Sequence, residues 1–503
     1  MDIVIVLFLL LAFFATYVLP STWNFRRSRT GSGGRLPPGP FPLPIIGSLH
    51  KLGKNPNQSL AKLAKKYGPL MSLKLGNKTT IVVSSPSIAK QVLQEHDQIL
   101  SSRTILNALQ PQDHHKYSML SLPASGHAWR KLRKISKEHM FSTAQLDSNQ
   151  NLRQEKLKGL REYLHNCSCN KQFVNIGESA FTTSLNLIST TLFSIDFATY
   201  DSNSSQELKE IVWGIMEMIG TPNLADYFPA LRFLDPQGIF HKNNLLFRKI
   251  FELFDDFINE RQLKRDSSNT FSKKNDFLQA LLDHSAKNES EFSRNYIKHM
   301  LLDLFVAGTN TTSVTVEWAM AELLRSPEKM EIARAELHQV IEEKETVNES
   351  DISKLPYLQA IVKETFRLHP AAPLLAAHKA DADVEINDYV VPKNAHILVN
   401  VWASNRNSET WFDPNKFSPE RFLNSDIDVR GKHFDLIPFG AGRRICPGMP
   451  LAYRMVHLML AAYIHQFDWK LEYGMRPKDI DMKEKFGLTV QKAMPLVATP
   501  IKL

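Results

Sequence analysis

The longest apolar run opens the chain. Ile3 to Leu19 is an uninterrupted stretch of mostly apolar residues that ends at Pro20, the length of a short membrane-spanning helix. Asp2 precedes it and Arg26, Arg27, Arg29 and Arg35 follow it. A cleaved secretory signal carries its positive charge ahead of the apolar run. Here the charge comes after, which predicts a retained anchor with the body on the cytosolic side. The four prolines of Pro37-Pro38-Gly39-Pro40-Phe41-Pro42 forbid a helix and predict a stiff extended hinge. Short β-type runs follow at Met71–Leu75 and Thr80–Val83, with Gly76-Asn77 between them as a turn. From Ser87 onward the pattern is mainly helical. Its longest proline-free stretch, Tyr296 to Leu324, repeats apolar residues at Ile297, Met300, Leu301, Leu304 and Phe305, the pattern of a long buried helix. Polar stretches at Tyr200–Gln206 and Lys264–Asp276 read as exposed loops. The expected organisation is an anchor (1–23), a basic and proline-rich hinge (24–46), and one mainly α domain with a minor β portion (47–503).

Composition changes this picture little. With 43% hydrophobic and 22% charged residues in 503, a large core is affordable. A net charge of +9 suits acidic partners or anionic lipid. Nucleic acid is not expected, because no basic run is interleaved with aromatic residues. On the cytosolic side, sequons such as Asn57-Gln58-Ser59 and Asn77-Lys78-Thr79 should carry no sugar. Of the three cysteines, Cys167 and Cys169 are too close for an ordinary disulfide and read as plain thiols in a polar turn. The adjacent His114 and His115 read as exposed loop residues.

The third cysteine stands in Phe439-Gly440-Ala441-Gly442-Arg443-Arg444-Ile445-Cys446-Pro447-Gly448. Alone, it is a poor disulfide half and an incomplete zinc site. Gly442 and Gly448 permit tight backbone geometry, and Pro447 restricts the chain just after the sulfur. Backbone N–H groups in such a loop can point at a thiolate, and Arg444 can neutralise a carboxylate. These features suit one thiolate held under a heme. The spacing F-x-x-G-x-R-x-C-x-G resembles the heme-binding signature of the cytochromes P-450. The resemblance implies that Cys446 is the axial ligand of a heme b iron, with Phe439, Gly440 and Arg444 also against the cofactor.

Other segments extend the likeness. Ala307-Gly308-Thr309-Asn310-Thr311-Thr312 is similar to the family's oxygen-activation motif, which implies a groove at Gly308 and a catalytic alcohol at Thr311. Asn310 departs from the usual Asp or Glu; an amide can orient water but cannot relay a proton by ionising. Trp129 and Arg133 match a W-x-x-x-R helix that reaches a heme propionate, and His378 is implied as another propionate partner on a strand that begins at Leu374. Glu364, Arg367 and Arg421 match the family's structural Glu–Arg–Arg cluster.

Candidate pocket segments are Ser101–Leu122, the region around Trp213–Phe240, and Phe486–Thr489, with Phe305, Ala307, Leu374, Leu375, Phe486 and Leu488 as candidate lining residues. Their apolar character favours a small, neutral lipophilic substrate. Phe233, Leu234, Ile239 and Phe240 are candidates for contact with membrane lipid. The Ile437–Gly448 and Glu484–Thr489 stretches are similar to the geraniol-hydroxylase and diterpenoid-oxidase subgroup of plant microsomal members. That likeness implies terpenoid hydroxylation with O2 at the endoplasmic reticulum, by a single-pass protein. Its NADPH electrons would come through a separate flavoprotein reductase, for which the cations Arg130, Lys131 and Lys134 offer a docking face. Two other readings stay open: a heme-thiolate isomerase or dehydratase, and a non-catalytic heme- or lipid-binding protein.

Overall fold

In the computed structural model, residues 34–200, 204–267, 275–287, 290–341 and 346–503 are described. The expected anchor and the start of the hinge lie outside them. Among the described residues no helix is long and apolar enough to cross a membrane.

A five-stranded sheet joins strands from the N-terminal region to two from residues 378–399. Strands β1 (Leu70–Leu75) and β2 (Lys78–Val83) form the expected antiparallel hairpin across Gly76-Asn77. With β3 (Ser102–Arg103), β4 (His378–Lys379) and β5 (His396–Val399) they make a sheet in the order β1-β2-β5-β4-β3, in which only β2 and β5 pair in parallel. The proline-rich segment lies against β1. The Ser72 hydroxyl donates to the Pro37 carbonyl at 2.6 Å, and the Ser72 N–H to that of Pro38 at 2.9 Å. A Cβ on Gly39 would sit 1.8 Å from the Ser72 carbonyl oxygen, so only glycine permits this contact.

The helices that position the site are α1 (His127–Ser136), α2 (Gln150–Cys169), α3 (Ile176–Phe193), α4 (Ser204–Gly220), α5 (Ile239–Ser267), α6 (Arg294–Arg325), α7 (Pro356–Leu368) and α8 (Met449–Ile464). Helix α6 is the long buried helix expected from periodicity, and at about 1.5 Å per residue it spans roughly 48 Å. It is apolar on nearly all sides because it has neighbours on nearly all sides, with Trp318 fully buried. Helix α3 packs along it and is capped by Asn175, whose side chain accepts the Glu178 N–H at 3.1 Å. A Cβ on Gly308 would meet Ile188 Cδ1 at 2.8 Å, so the glycine lets α3 and α6 approach closely. Helix α7 begins on Pro356 and ends before His369-Pro370, as proline rules require.

Several expectations are corrected. Cys167 is buried and Cys169 exposed at the end of α2, not in a turn. The expected loop at Tyr200–Gln206 falls partly outside the described residues, but Tyr200 stacks on Tyr163 and α4 begins at Ser204. The expected loop at Lys264–Asp276 is helical through Ser267; its middle lies outside the described residues. Asp276 is buried in a bidentate pair with Arg261. Ile239 is buried, whereas Phe233, at 82% exposure, and Leu234 are open to solvent.

Candidate active site

The Phe439–Gly448 run forms a tight loop leading into α8. Gly440 and Gly442 both have positive φ, and a Cβ on Gly442 would lie 1.8 Å from the Leu93 carbonyl oxygen. Gly448 has no such need: its φ is −81°, and an added Cβ would make only ordinary contacts. The Cys446 N–H donates to the Phe439 carbonyl at 3.0 Å. Burial pushes the Cys446 thiol up. The N–H groups of Gly448 and Met449 at the start of α8, and the Arg133 charge, act the other way and favour thiolate.

Above this sulfur is a largely apolar cavity of about 390 Å³. Trp129, Arg133, Ala307, Thr311, Leu375, His378, Phe439, Gly440, Arg444, Cys446 and Leu488 all line it, so most of the residues singled out in the sequence converge there. Helix α3 adds Ser184, Leu187 and Ile188, and α4 adds Ile215, Met216 and Ile219. Thr311 holds its hydroxyl on the Ala307 carbonyl at 3.0 Å, one turn back.

Three expected lining residues lie elsewhere, and Asn310, the amide beside Thr311, turns away from the cavity. Phe305 is fully buried in an aromatic cluster, edge-on to Phe254 at 5.9 Å, because its side of α6 faces α5. Leu374 and Phe486 line a neighbouring cavity of about 190 Å³, separated from the first by Leu375 and Leu488. Asn310 is buried off the cavity wall, and its amide Nδ2 donates to Thr489 Oγ1 at 2.7 Å. Thr489 itself does line the cavity. The expected strand from Leu374 is confined to His378–Lys379, since Leu375 has a φ of +51° and turns the chain.

A cationic rim surrounds one side of the cavity. Arg444 donates to the carbonyls of Ser101 (2.8 Å), Met119 (3.1 Å) and Leu122. Its guanidinium lies 5.0 Å from the Trp129 ring centre and that of Arg133 at 5.6 Å. Trp129 Nε1 donates to the same Met119 carbonyl at 3.1 Å. Arg103, which sequence reasoning did not single out, donates to the Ala376 carbonyl, and its Nε is buried without a partner. Burial, then the charge of Arg444, lowers Arg103 to about 9; burial, then Arg133, lowers Arg444 to about 10. His378 Nδ1–H donates to the Leu100 carbonyl at 2.7 Å, and burial holds this imidazole well below its usual range.

Behind the loop, Arg367 donates to both Glu364 carboxylate oxygens at 2.7 and 2.8 Å, and Arg421 adds a third bond at 3.1 Å. Glu364 and Arg367 are fully buried, and Arg367 also holds the Asn405 and Pro414 carbonyls. These are the three side chains that the resemblance joins in one cluster, and they meet here.

His114 was expected to be exposed, but it is buried and lines the cavity. Its Nε2 lies 3.2 Å from Asp303 Oδ1, and its Nδ1 is 2.9 Å from His299 Nδ1. Asp303 also accepts the Ser118 hydroxyl and the Met119 N–H, each at 2.7 Å. The signal was present in the sequence: Asp303, Ala307 and Thr311 are four apart and share one helical face.

Comparison with known proteins accounts for this arrangement. A family model described as Cytochrome P450 matches residues 37–497. The chain is 65% identical to Cytochrome P450 76T24 of Catharanthus roseus over the whole of both chains. It is 50% identical to Geraniol 8-hydroxylase of Swertia mussotii and 48% to Carnosic acid synthase of Rosmarinus officinalis, each over 98% of both chains. A half-buried cysteine lining an apolar cavity, a threonine-bearing helix on the same cavity and a family match over nearly the full length lead to one conclusion: the chain belongs to the cytochrome P450 family and is a heme-thiolate monooxygenase.

Proposed function

We propose that this chain hydroxylates a lipophilic terpenoid, either a monoterpenol or an abietane-type diterpenoid. The observation that carries the reading is the mainly apolar cavity of about 390 Å³ that joins the Cys446 sulfur to Thr311. Names of relatives such as Geraniol 8-hydroxylase and Carnosic acid synthase support the substrate class.

The residues present fit a heme. The orphaned Arg103 Nε and the desolvated Arg133 and Arg444 gather positive charge where the cofactor's carboxylates need it. Heme supplies the iron at which dioxygen is activated with electrons from outside. Cys446 would hold that iron as thiolate, steadied by the Gly448 and Met449 N–H groups, with Phe439 and Gly440 beside it. Trp129, Arg133 and Arg444 would receive the cofactor's carboxylates. His378 joins them only when protonated, because its Nδ1–H is committed to Leu100. Thr311 passes protons at the cavity wall by exchanging its Ala307 bond for one to water. Asn310 fixes Thr489 and does not ionise. Glu364, Arg367 and Arg421 stiffen the support beneath the loop.

Electrons come from NADPH through a flavoprotein reductase that docks near α1. Arg130 and Lys134 are exposed there, while Lys131 is partly engaged by Glu291 at 3.0 Å. Residues 1–23 anchor the protein in the endoplasmic reticulum membrane, with Phe233 and Leu234 against the lipid surface. The test is reconstitution of the full chain with reductase, NADPH and a terpenoid panel, read by mass spectrometry. Reductase-dependent incorporation of one oxygen atom is expected, with a red-shifted Soret band in the reduced carbonyl complex that Cys446→Ala abolishes. Product formation without reductase, or no terpenoid consumed, overturns the reading.

A further inference from the structure

We propose that Asp303 and His114 form a hydrogen-bonding site for a hydroxyl group of the substrate, so that oxidation falls on a carbon remote from that hydroxyl. This rests on the terpenoid reading and deepens it. Among the described residues, Asp303 is the one carboxylate on the cavity wall. It stands eight residues before Thr311 on α6, which at about 1.5 Å per residue is roughly 12 Å along the axis. A molecule anchored there presents its opposite end to the oxidising side of the cavity.

The carboxylate retains accepting capacity. It takes two donors, Ser118 Oγ and Met119 N, with His114 Nε2 beside it at 3.2 Å, whereas a carboxylate's two oxygens offer about four lone-pair sites. No Lys or Arg among the described residues pairs with it. Its side chain is 10% exposed, and the cavity is where it is reached. His114 is fixed by His299 on one side and by the edge of Phe247, 5.1 Å away, on the other. Burial, then His114, keeps His299 neutral, with its proton lost above about 3. A clamp needed only to pin residues 114–119 to α6 would be served by Ser118 and Met119. It would not need a second ionisable side chain facing an apolar cavity. An alcohol or phenol O–H completes the site; an ether cannot.

The test uses the heme-loaded enzyme and the spectral shift on substrate binding. The probes are geraniol, its methyl ether and geranylamine. Wild type should bind geraniol at least about tenfold more tightly than the ether, the scale of a hydrogen bond to a charged group. In Asp303→Asn and Asp303→Ala that ratio should fall below about threefold, and oxidation should spread from one carbon to several. His114→Ala, which keeps the Ser118 and Met119 bonds, should also shrink the ratio and covers the case in which Asp303 variants do not fold. Equal binding of alcohol and ether by wild type overturns the proposal, as does an unchanged ratio in the folded variants. Tighter binding of geranylamine than geraniol overturns the hydroxyl assignment. If geraniol is oxidised but the ether binds alike, only this inference fails. If no terpenoid alcohol binds or is oxidised, the terpenoid reading fails and takes this one with it.

Discussion

At the scale of single residues, two neighbours on α6 have different tasks. Thr311 faces the cavity, and its hydroxyl is parked on the Ala307 carbonyl. Thr311→Ala should keep the thiolate carbonyl spectrum while product per NADPH falls about tenfold or more and free hydrogen peroxide rises; unchanged coupling, measured by oxygen and NADPH uptake, would refute its role. Asn310 faces Thr489 instead. Asn310→Ala leaves that buried hydroxyl without its donor and should cost about 1–3 kcal/mol in denaturant melts. Much of this was readable in the sequence because motif spacing fixes where a side chain stands on a helix. Thr311 and Arg133 reach the cavity for that reason, and Cys446 and Arg444 reach it from the glycine-rich loop whose spacing carried the resemblance. Asp303 was not singled out and His114 read as exposed, because nothing in a linear pattern says that residues 189 positions apart will meet. A histidine among Gln112, Asp113 and Lys116 also has polar neighbours that disguise a buried position.

At the scale of elements, long periodic segments and proline-bounded helices were legible, and α6, α7 and the β1–β2 hairpin lie where the pattern puts them. Which way an element's faces turn was less so. Phe305 reads as pocket from its place beside the Ala307 motif, yet it turns toward α5. The end of α4 shows how closely elements set the cavity wall. A Cβ on Gly220 would lie 1.9 Å from the Leu488 backbone nitrogen, so the 487–489 loop exists in its present place only because that residue is glycine. Gly220→Ala should push Leu488 and Thr489 away, raising the substrate dissociation constant severalfold in spectral titration without loss of the thiolate band. The Glu364 cluster ties α7 to the Pro419–Phe422 turn. Glu364→Ala strands a fully buried guanidinium and should cost about 3–5 kcal/mol, seen as loss of heme-loaded protein on expression.

At the scale of the whole molecule, acid sensitivity follows from several histidines buried as neutral rings. Burial holds His299 at about 3 and His396 and His457 at about 4, against about 6.5 in an unfolded chain. As pH falls from about 6.5 toward 4, the unfolded chain binds protons that the folded one refuses. This contribution to stability is therefore complete above about 6.5 and is lost across that window. The thermal midpoint should fall steadily from pH 7 to pH 5; a flat profile would exclude the account.

One residue joins these scales. The Met119 N–H is held by Asp303, and its carbonyl is gripped by both Trp129 and Arg444. The cavity wall at Asp303 and the cationic rim at Arg444 thus hold the two peptide planes that meet at the Met119 Cα. A change of occupancy at one that shifts Met119 alters the free energy of occupancy at the other, and by thermodynamic reciprocity the influence is then equal in both directions. Substrate affinity and cofactor retention are therefore expected to be linked through this residue.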